Sequence, residues 1–540
     1  ALGGGLAAAL PPLAPLAPVA RHRGLRLSFA QERLWFLDQL EPATAAYNLP
    51  AALALSGDLD VAALAAGLAA IARRHETLRT TFAGAAGQPR ARIAPPGPVP
   101  LPLVDLGALP PAARSGAAAA RLRGEAARPF DLASGPLLRA SLLRLGPDDH
   151  VLTLTLHHIV SDGWSFEVMA NELAALYDAA TESRPPRLPE LPVQYVDYAA
   201  WQREWLRGEV MERQLAYWRQ RLGGADAALA LPLDRPRMAS ASYRGAVVRS
   251  AVPPGLLQSV QSLARAEGVT LFMVLAAALA TLLARYSGQL DVSLGTPVAN
   301  RGRREVERLI GLFVNTLVLR LELAADVSFR ALLANVREVA LGAYAHQDVP
   351  FEKLVEDLQP VRDLSRSPLF EVLLALNNQP TARPDLRGLG VSRLPSETGS
   401  ARFDLALAAT EASGGLALGV EFRRELFDAA TIGRLLGHCA ALLAAAAAGP
   451  ERRAAALPLL TAPELQQLRE WNATGQAPAG ADGDLAARLA RQAERSPERW
   501  AVAGGEVRLT YRELARQARA LAARLRALGV GPEVGVAVCC

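Results

Sequence analysis

The sequence predicts an α/β fold made of two lobes, and three observations support that prediction. The chain has 540 residues, more than the roughly 250–300 residues at which a single hydrophobic core stops growing. Predicted strands and helices alternate along the chain both before and after residue 190. A proline-rich segment, 184–192, separates the two stretches and marks the crossover between them.

The first stretch starts its regular structure at Ser28, which can cap a helix whose leucines repeat at helical spacing up to residue 40. A second helix is capped by Asp58 or Asp60, and a third by Ser165. These two helices are predicted over 60–74 and 165–181. Strands are predicted over 77–82 and 151–156.

The second stretch repeats the alternation. Its predicted strands cover 246–252, 291–298, 369–377 and 416–422, and its helices cover 256–267, 270–286, 329–347 and 431–448. The apolar run 271–284 is shorter than the roughly 20 residues that a membrane span needs. It therefore predicts a buried core helix, and no membrane association is expected.

The pattern restarts after residue 484, with a helix over 486–495, a strand over 500–503, a helix opening at 509–514 and a strand over 534–540. We interpret 485–540 as an N-terminal fragment of a further α/β domain. The predicted organisation is a mobile Ala/Pro-rich linker over 1–24, lobes over 25–190 and 191–450, a second linker over 451–484, and this fragment.

Composition narrows the possible function. A net charge of +5 on 540 residues, with scattered basic groups, does not predict nucleic-acid binding. The cysteines at positions 439, 539 and 540 lack metal-ligand spacing, and so few of them do not predict a secreted disulfide scaffold. Residues 1–20 contain several prolines and no charged segment precedes them, unlike a signal peptide. A cytoplasmic protein is the simplest expectation.

The strongest candidate for chemistry is the segment HHIVSDGWS, 157–165, at the end of a predicted strand. Alternate residues of a strand share a face, so His158 has the parity of the apolar residues Leu154 and Leu156. If the strand continues, His158 points inward beside the core. Imidazole is also the side chain whose pKa best suits proton transfer near neutral pH.

Other interpretations of this segment have less support. A histidine near a core is usually a hydrogen-bonded structural residue. Adjacent histidines on a strand point to opposite faces, and no further His/Cys cluster accompanies them, so no metal site is predicted. The sequence contains neither a Gly-x-Ser-x-Gly elbow nor a phosphate-binding glycine loop.

Seven motifs in order resemble those of the condensation domains of nonribosomal peptide synthetases. HHIVSDG is similar to the third core motif, HHxxxDG, which other acyltransferases share. The remaining six are SFAQERLW (28–35), RHETLRTTF (74–82), YVDYAAWQ (195–202), IGLFVNT (310–316), HQDVPFE (346–352) and RSPLF (366–370). In addition, LTYREL (509–514) resembles the first core motif of adenylation, or AMP-binding, domains.

This resemblance implies a fold similar to chloramphenicol acetyltransferase, with two lobes in a V and a tunnel between them. Donor and acceptor peptidyl carrier proteins would each present a thioester on a 4'-phosphopantetheine arm, and an adenylation domain would lie alongside. The chain itself would bind no cofactor. The acceptor amine would attack the donor thioester to form an amide.

The resemblance also implies site roles. His158 would act as a base or position the amine, supported by His157, and the Gly163 backbone N–H is a candidate donor to the reacting groups. Asp162 would form a structural ion pair with Arg301. Candidates to line the tunnel are Trp201, Asn315, Ser28 and Arg74.

Two alternatives remain open: an ester-forming HHxxxDG acyltransferase, and a non-catalytic docking module for carrier proteins. The adenylation-like segment argues against the first, and the intact motif against the second. Within the family, SFAQERLW, the following YNLP (47–50) and HHIVSDGWSFEVM most resemble the subtype that joins two L residues, often called LCL.

Overall fold

A computed structural model describes the chain apart from residues 1–13, 23, 86–87, 225–227, 239–242, 361–362, 364, 378–385, 397–398, 413–414, 476–483, 506 and 540. The chain divides into two compact units, Ala1–Thr461 and Ala462–Cys540. The first contains both predicted lobes, and each unit is described separately below.

The strands of the described residues fall into four sheets. They are β1 Asn48–Ser56, β2 Thr80–Ala85, β3 Gln88–Ile93, β4 Leu103–Asp105, β5 Leu138–Arg144, β6 Asp149–His157, β7 Gly245–Val252, β8 Asp291–Val298, β9 Asn315–Glu322, β10 Val372–Asn377, β11 Gly390–Leu394, β12 Leu405–Ala412, β13 Gly415–Arg423, β14 Trp500–Gly504 and β15 Val507–Thr510.

The helices of the described residues lie between these strands. They are α1 Phe29–Leu40, α2 Val61–Arg74, α3 Pro111–Ala127, α4 Gly163–Thr181, α5 Tyr195–Trp205, α6 Gly208–Leu222, α7 Pro254–Ala266, α8 Leu271–Ser287, α9 Phe329–Ala345, α10 Phe351–Leu358, α11 Ala429–Ala448, α12 Ala462–Asn472, α13 Leu485–Arg495 and α14 Tyr511–Ala527.

The first lobe is built on a five-stranded sheet in the order β11-β1-β6-β5-β4. From His150 to His157, every residue of β6 is buried, because helices cover both faces of the sheet: α2 and α4 pack on one, and α3 on the other. Strand β6 runs antiparallel to β1, with His157 opposite Asn48. This central position fixes where the His pair emerges from the sheet.

The second lobe contains a six-stranded mixed sheet in the order β7-β13-β12-β10-β8-β9. Helix α8 packs in its core, and every residue from Phe272 to Ala284 is buried, which confirms the predicted core helix. By length and composition alone, α11 is long and apolar enough to cross a membrane. Its leucines, however, pack in the same core.

The lobes are not contiguous in sequence. Strand β11, which the sequence assigned to the second lobe, pairs antiparallel with β1 and forms an edge of the first sheet. The proposed division at residue 190 therefore omits one strand of the first lobe. Sequence patterns missed this because β11 is a short edge strand with few buried residues.

Two predicted linkers are partly packed. Within 1–24, residues 1–13 lie outside the described residues, but Leu16 is buried and Arg21 forms ion pairs with Glu76 and Asp197. Within 451–484, Ala454 and Leu457 are buried in the second-lobe core. The expectation of a mobile segment is therefore wrong for 14–22, and residues 451–461 pack on the second-lobe core where a linker was expected.

Several element predictions also needed correction. Residues 76–79 form a 3-10 turn, so β2 begins only at Thr80. Residues 509–510 end a strand, and α14 begins after them, with Thr510 as its cap. The predicted strand 534–540 has no regular structure over its described residues, 534–539. Eight strands of the described residues were not predicted: β1, β3, β4, β5, β9, β11, β12 and β15.

The second unit contains the three helices α12, α13 and α14 and the β14–β15 hairpin in its described residues. None of these helices contains a buried residue. Large apolar side chains such as Leu485, Trp500 and Val538 are exposed. This unit therefore has elements with apolar faces but no core of its own among the described residues.

Candidate active site

The His pair lies at the point where β6 ends. Residues His158–Val160 form a 3-10 turn directly after the strand. The backbone N–H of His157 donates to Leu137 O at 3.0 Å, and that of His158 donates to Tyr47 O at 2.8 Å. The strand stops one residue before His158, so the parity argument from the sequence does not apply to it. His157 is buried and His158 is half-buried.

His157 is a packing residue that shapes the turn. Its ring lies 6.3 Å from the ring of Tyr47 and 6.0 Å from that of Phe130, measured between centroids. Its Nδ1 accepts a hydrogen bond from Ile159 N at 3.2 Å. Burial, and then the neighbouring His158, lower the pKa of His157 to about 3. It is therefore neutral near pH 7.

His158 presents one nitrogen as a free acceptor. Its Nδ1 lies 2.8 Å from Ser161 O, and because a carbonyl oxygen only accepts, Nδ1 carries the proton in this geometry. Nε2 then keeps its lone pair, and no described residue bonds to it. Burial, followed by the positive charge of Arg402, lowers the pKa of His158 to about 4. The neutral ring can accept a hydrogen bond from a substrate N–H.

Asp162 is the cap of α4, in place of the predicted Ser165. Its carboxylate accepts from Ser165 N at 2.9 Å, Ser165 Oγ at 2.7 Å, Phe313 N at 3.0 Å and an Arg301 nitrogen at 3.1 Å. The carboxylate is almost completely buried and is satisfied on both oxygens. A carboxylate engaged in this way fixes the backbone and is a poor proton acceptor for a substrate.

Arg301 links this turn to the second half of the chain. Its Nη1 donates to Val306 O at 2.8 Å and to Leu309 O at 2.7 Å, while Nη2 bonds to Asp162. Its Cζ lies 4.1 Å from the centroid of the Phe313 ring. Burial lowers the pKa of Arg301, although Asp162 opposes that shift. The structure thus brings together the two residues that the sequence paired.

Gly163 begins α4, and the space beside it is open. It is exposed, and a Cβ added at this position would meet nothing within 4 Å. The first N–H groups of a helix have no acceptor inside the helix. The Gly163 amide is therefore available to a bound molecule, while Asp162 caps the amide of Ser165, two residues further on.

Two of the candidates for tunnel lining hold other segments in place. Trp201 Nε1 donates to Ala14 O at 2.8 Å, and its ring stacks on Trp205 at 5.3 Å. The Asn315 amide donates to Gln347 O and Val349 O, at 2.8 and 2.7 Å, and its oxygen accepts two backbone N–H groups. Their polar groups are engaged inside the protein, and a lining role for the two side chains stays a prediction.

Ser28 and Arg74 are likewise structural. Ser28 is buried, caps α1 and hydrogen-bonds to the Tyr195 hydroxyl at 2.9 Å. Arg74 Nε donates to Glu172 at 2.9 Å, and another of its nitrogens bonds to Pro189 O. Arg74 therefore ties the end of α2 to α4, and its predicted place in the tunnel lining stays a prediction.

The sequence reasoning missed two residues beside His158. Tyr47 provides the carbonyl that accepts the His158 N–H. Arg402 lies between β11 and β12, with its Cζ 5.5 Å from the centroid of the Tyr47 ring. An isolated arginine, 244 positions from His158 along the chain, has no local pattern that could have identified it. Within the described ranges, no three His, Cys, Asp or Glu side chains are placed to hold a metal ion.

Comparison with known proteins gives the same regions a family context. A family model described as the condensation domain matches residues 22–469, and the model of AMP-binding enzymes matches residues 489–540. Over 531 residues, the chain is 47% identical to a linear gramicidin synthase protein of Brevibacillus parabrevis. That match covers 97% of the chain and 7% of the synthase, so the chain spans a small part of this relative.

Solved structures with the same fold include two relevant domains. The X-domain from teicoplanin biosynthesis has a TM-score of 0.76 and is 32% identical, and the match covers 83% of this chain and 100% of that one. The first condensation domain of the CDA synthetase has a TM-score of 0.67 and is 25% identical, with 82% and 100% of the two chains covered.

Proposed function

The chain belongs to the condensation-domain family of nonribosomal peptide synthetases, and from that premise we propose that it forms an amide bond between two carrier-bound substrates. The donor is an aminoacyl or peptidyl thioester, and the acceptor is an aminoacyl thioester with a free amine. The observation that carries the proposal is the neutral His158 ring, whose Nε2 is free while Nδ1 is held by Ser161 O.

The acceptor amine needs little activation by the protein before it attacks the thioester. An α-amine has a pKa near 7.7, so a substantial fraction is neutral at pH 7–8. The amine nitrogen bonds to the thioester carbonyl carbon, and the oxygen takes the π electron pair. One amine proton passes to His158 Nε2. When the oxyanion collapses, the C–S bond breaks and the leaving thiolate takes that proton, which restores the neutral imidazole.

Positioning is the main contribution of His158 in this proposal. An imidazole with a pKa of about 4 holds a proton only briefly, while the nearby oxygen is negative. It accepts a hydrogen bond from the neutral amine throughout, and orientation of this kind supplies many kcal/mol of rate enhancement. The Gly163 N–H is the candidate donor to the carbonyl oxygen from the same turn.

The proposed partners are donor and acceptor peptidyl carrier proteins, each bearing 4'-phosphopantetheine. The match of residues 489–540 to AMP-binding enzymes supports an adjacent adenylation domain. We propose a cytoplasmic, bacterial setting and a role in making a peptide secondary metabolite, as the gramicidin synthase relative suggests by name.

A docking module for carrier proteins is the second candidate. The teicoplanin X-domain, which has the same fold, has been solved in a complex with the protein OxyB. Members of this fold therefore include a domain that binds another protein. An ester-forming activity is the third candidate, because the free Nε2 of a neutral His158 can accept a hydrogen bond from a hydroxyl as well as from an amine.

The deciding experiment loads donor and acceptor carrier proteins with a panel of amino acids and follows product formation with the full chain. We expect amide products, and faster transfer from donors that end in an L residue than from their D isomers. Hydroxyacyl acceptors, presented in parallel, are the matched control for ester formation. Carrier binding without any product would support the docking module and refute the enzymatic proposal.

A further inference from the structure

Arg402 is a charged side chain without a charged or hydrogen-bonding partner among the described residues. It is half-buried, and among the described residues its guanidinium makes one ring contact, with Cζ 5.5 Å from the centroid of the Tyr47 ring. A cation over a tyrosine ring at a partly exposed site is stabilised only modestly. This contact leaves all of its N–H donors free.

Other arginines in this region are used differently. Arg301 donates to Asp162 and to two backbone carbonyls. Arg237 and Arg423 both pair with the buried Asp404, two residues after Arg402. Arg402 lies next to this network but is not paired within it. Its N–H groups can therefore donate to a negative group from outside the chain.

The backbone that carries Arg402 is fixed. Arg423 Nη2 donates to the Arg402 carbonyl at 3.0 Å, and Asp404 anchors the following turn through its two arginine partners. Because the backbone at Arg402 is held in place, the guanidinium extends from the second lobe toward Tyr47. The Tyr47 carbonyl is in turn bonded to the His158 N–H, so Arg402 and His158 both interact with Tyr47.

We propose that Arg402 is a catalytic residue of the condensation reaction, whose guanidinium faces the donor carbonyl oxygen and stabilises the oxyanion that forms there. This inference rests on the proposed function. In that reaction, the acceptor amine loses a proton and the thiolate gains one, so the carbonyl oxygen is the atom that carries negative charge before collapse. A preorganised cation at this atom lowers the barrier without reorganisation at the moment of reaction.

The position also suits the substrate before attack. A fixed positive charge beside the amine site disfavours an ammonium ion and favours the neutral nucleophile. The same charge contributes to the lowered pKa of His158, second to burial. In this proposal, the first lobe provides the hydrogen-bond acceptor, His158, and the second lobe provides the cation, Arg402.

The test compares Arg402→Met, which removes the charge at similar length, with Arg402→Lys, which keeps it. We expect Arg402→Met to lower the single-turnover rate of amide formation by about 10²–10³-fold at saturating carriers, the usual effect of losing one oxyanion donor. Arg402→Lys should lose less than about 10-fold, and added methylguanidinium should partly restore Arg402→Met. Arg265→Met, on the exposed surface of α7, is the matched control and should be unchanged.

A second measurement reports placement. The pKa of His158, followed by NMR, should rise in Arg402→Met, and no rise would overturn the inference. The inference would also be overturned if Arg402→Met were as active as an active wild-type chain. The same holds if the variant lost activity only because its melting temperature had fallen below the assay temperature. A wild-type chain that joins no pair of the panel would refute the proposed function, and this inference with it.

Discussion

The two sides of the turn 157–163 differ in how their polar groups are satisfied. On one side, Asp162 accepts hydrogen bonds on both oxygens and Arg301 donates to four residues, all inside the protein. On the other side, His158 Nε2 and the Arg402 guanidinium have no hydrogen-bonding partner among the described residues. Both sides hold charged or titratable groups near one turn. The first is built to hold the turn, and the second is open to a substrate.

The largest effect is expected when His158, whose Nε2 has no hydrogen-bonding partner among the described residues, is replaced. His158→Ala should lower the rate of amide formation by about 10²–10⁴-fold, the usual contribution of a positioned acid–base group. Its melting temperature should fall only modestly, because the ring makes one hydrogen bond, from Nδ1 to Ser161 O, and Nε2 bonds to nothing inside the described part of the protein. The measurement is single-turnover transfer between loaded carriers, together with thermal melting.

His22→Ala, a change at an exposed histidine, is the control for that experiment and should transfer at the wild-type rate. A folded His158→Ala protein with near-normal turnover would show that the open side does not contribute to the reaction. The assignment of His158 would then be wrong.

Replacement of Asp162 or Arg301, whose charges are paired inside the protein, should mainly lower stability. Asp162→Ala or Arg301→Ala leaves one charge buried without its partner, which costs about 3–5 kcal/mol of unfolding free energy. Once one partner is absent, loss of the other should cost much less, so the double variant should be strongly non-additive. Denaturant unfolding of the two single variants and the double variant measures this coupling.

The exposed pair Arg235–Asp428, with side chains 48% and 55% exposed, is the matched control. Its coupling should be below about 1 kcal/mol. Additive losses at Asp162 and Arg301 would mean that the two charges do not depend on each other, and the contrast between the two sides would fail.

A smaller effect concerns pH. The folded pKa of His157 is about 3 and that of His158 about 4, below the ordinary value of about 6.5 in the unfolded chain. Below about pH 6.5 the unfolded state therefore binds protons that the folded state does not. Stability should fall as pH decreases from about 6.5 toward 4, by about 1.4 kcal/mol per pH unit for each histidine.

His157→Phe removes one of these groups and keeps an aromatic ring between Tyr47 and Phe130. The difference in unfolding free energy between variant and wild type should change with pH below about 6.5 and stay constant above about pH 7. Asp162, Arg402 and the second histidine remain in both proteins, so their contributions cancel. A difference that does not vary with pH would show that His157 is not held neutral by burial.

The sequence was informative where residue patterns are local. The strand ending at the His pair, the core helix α8 and the helix after Asp162 follow from apolar spacing and turn residues over short distances. The α/β class follows from the alternation of strands and helices, and the family follows from motifs in order. These features depend on neighbours within one element, and periodicity detects them.

The rest depends on contacts between distant segments. The bonds of Asn315 to Gln347 and of Trp201 to Ala14 could not be predicted, because they exist only after folding. Arg402 was missed for the same reason, because its significance comes from Tyr47 and His158, which are far away in sequence. The Asp162–Arg301 pair was anticipated through the family resemblance, and no spacing rule connects positions 139 residues apart.

Strand β11 has a consequence for how the protein is made. The first sheet needs Gly390–Leu394 beside β1, yet β1 ends at Ser56. At roughly 5–20 residues per second, a ribosome takes on the order of 20–70 s to synthesise the chain between the two strands. Throughout that time the emerging first lobe has an unpaired strand edge, to which another nascent chain can pair. The order of synthesis therefore places the greatest demand on chaperones before the second lobe is complete.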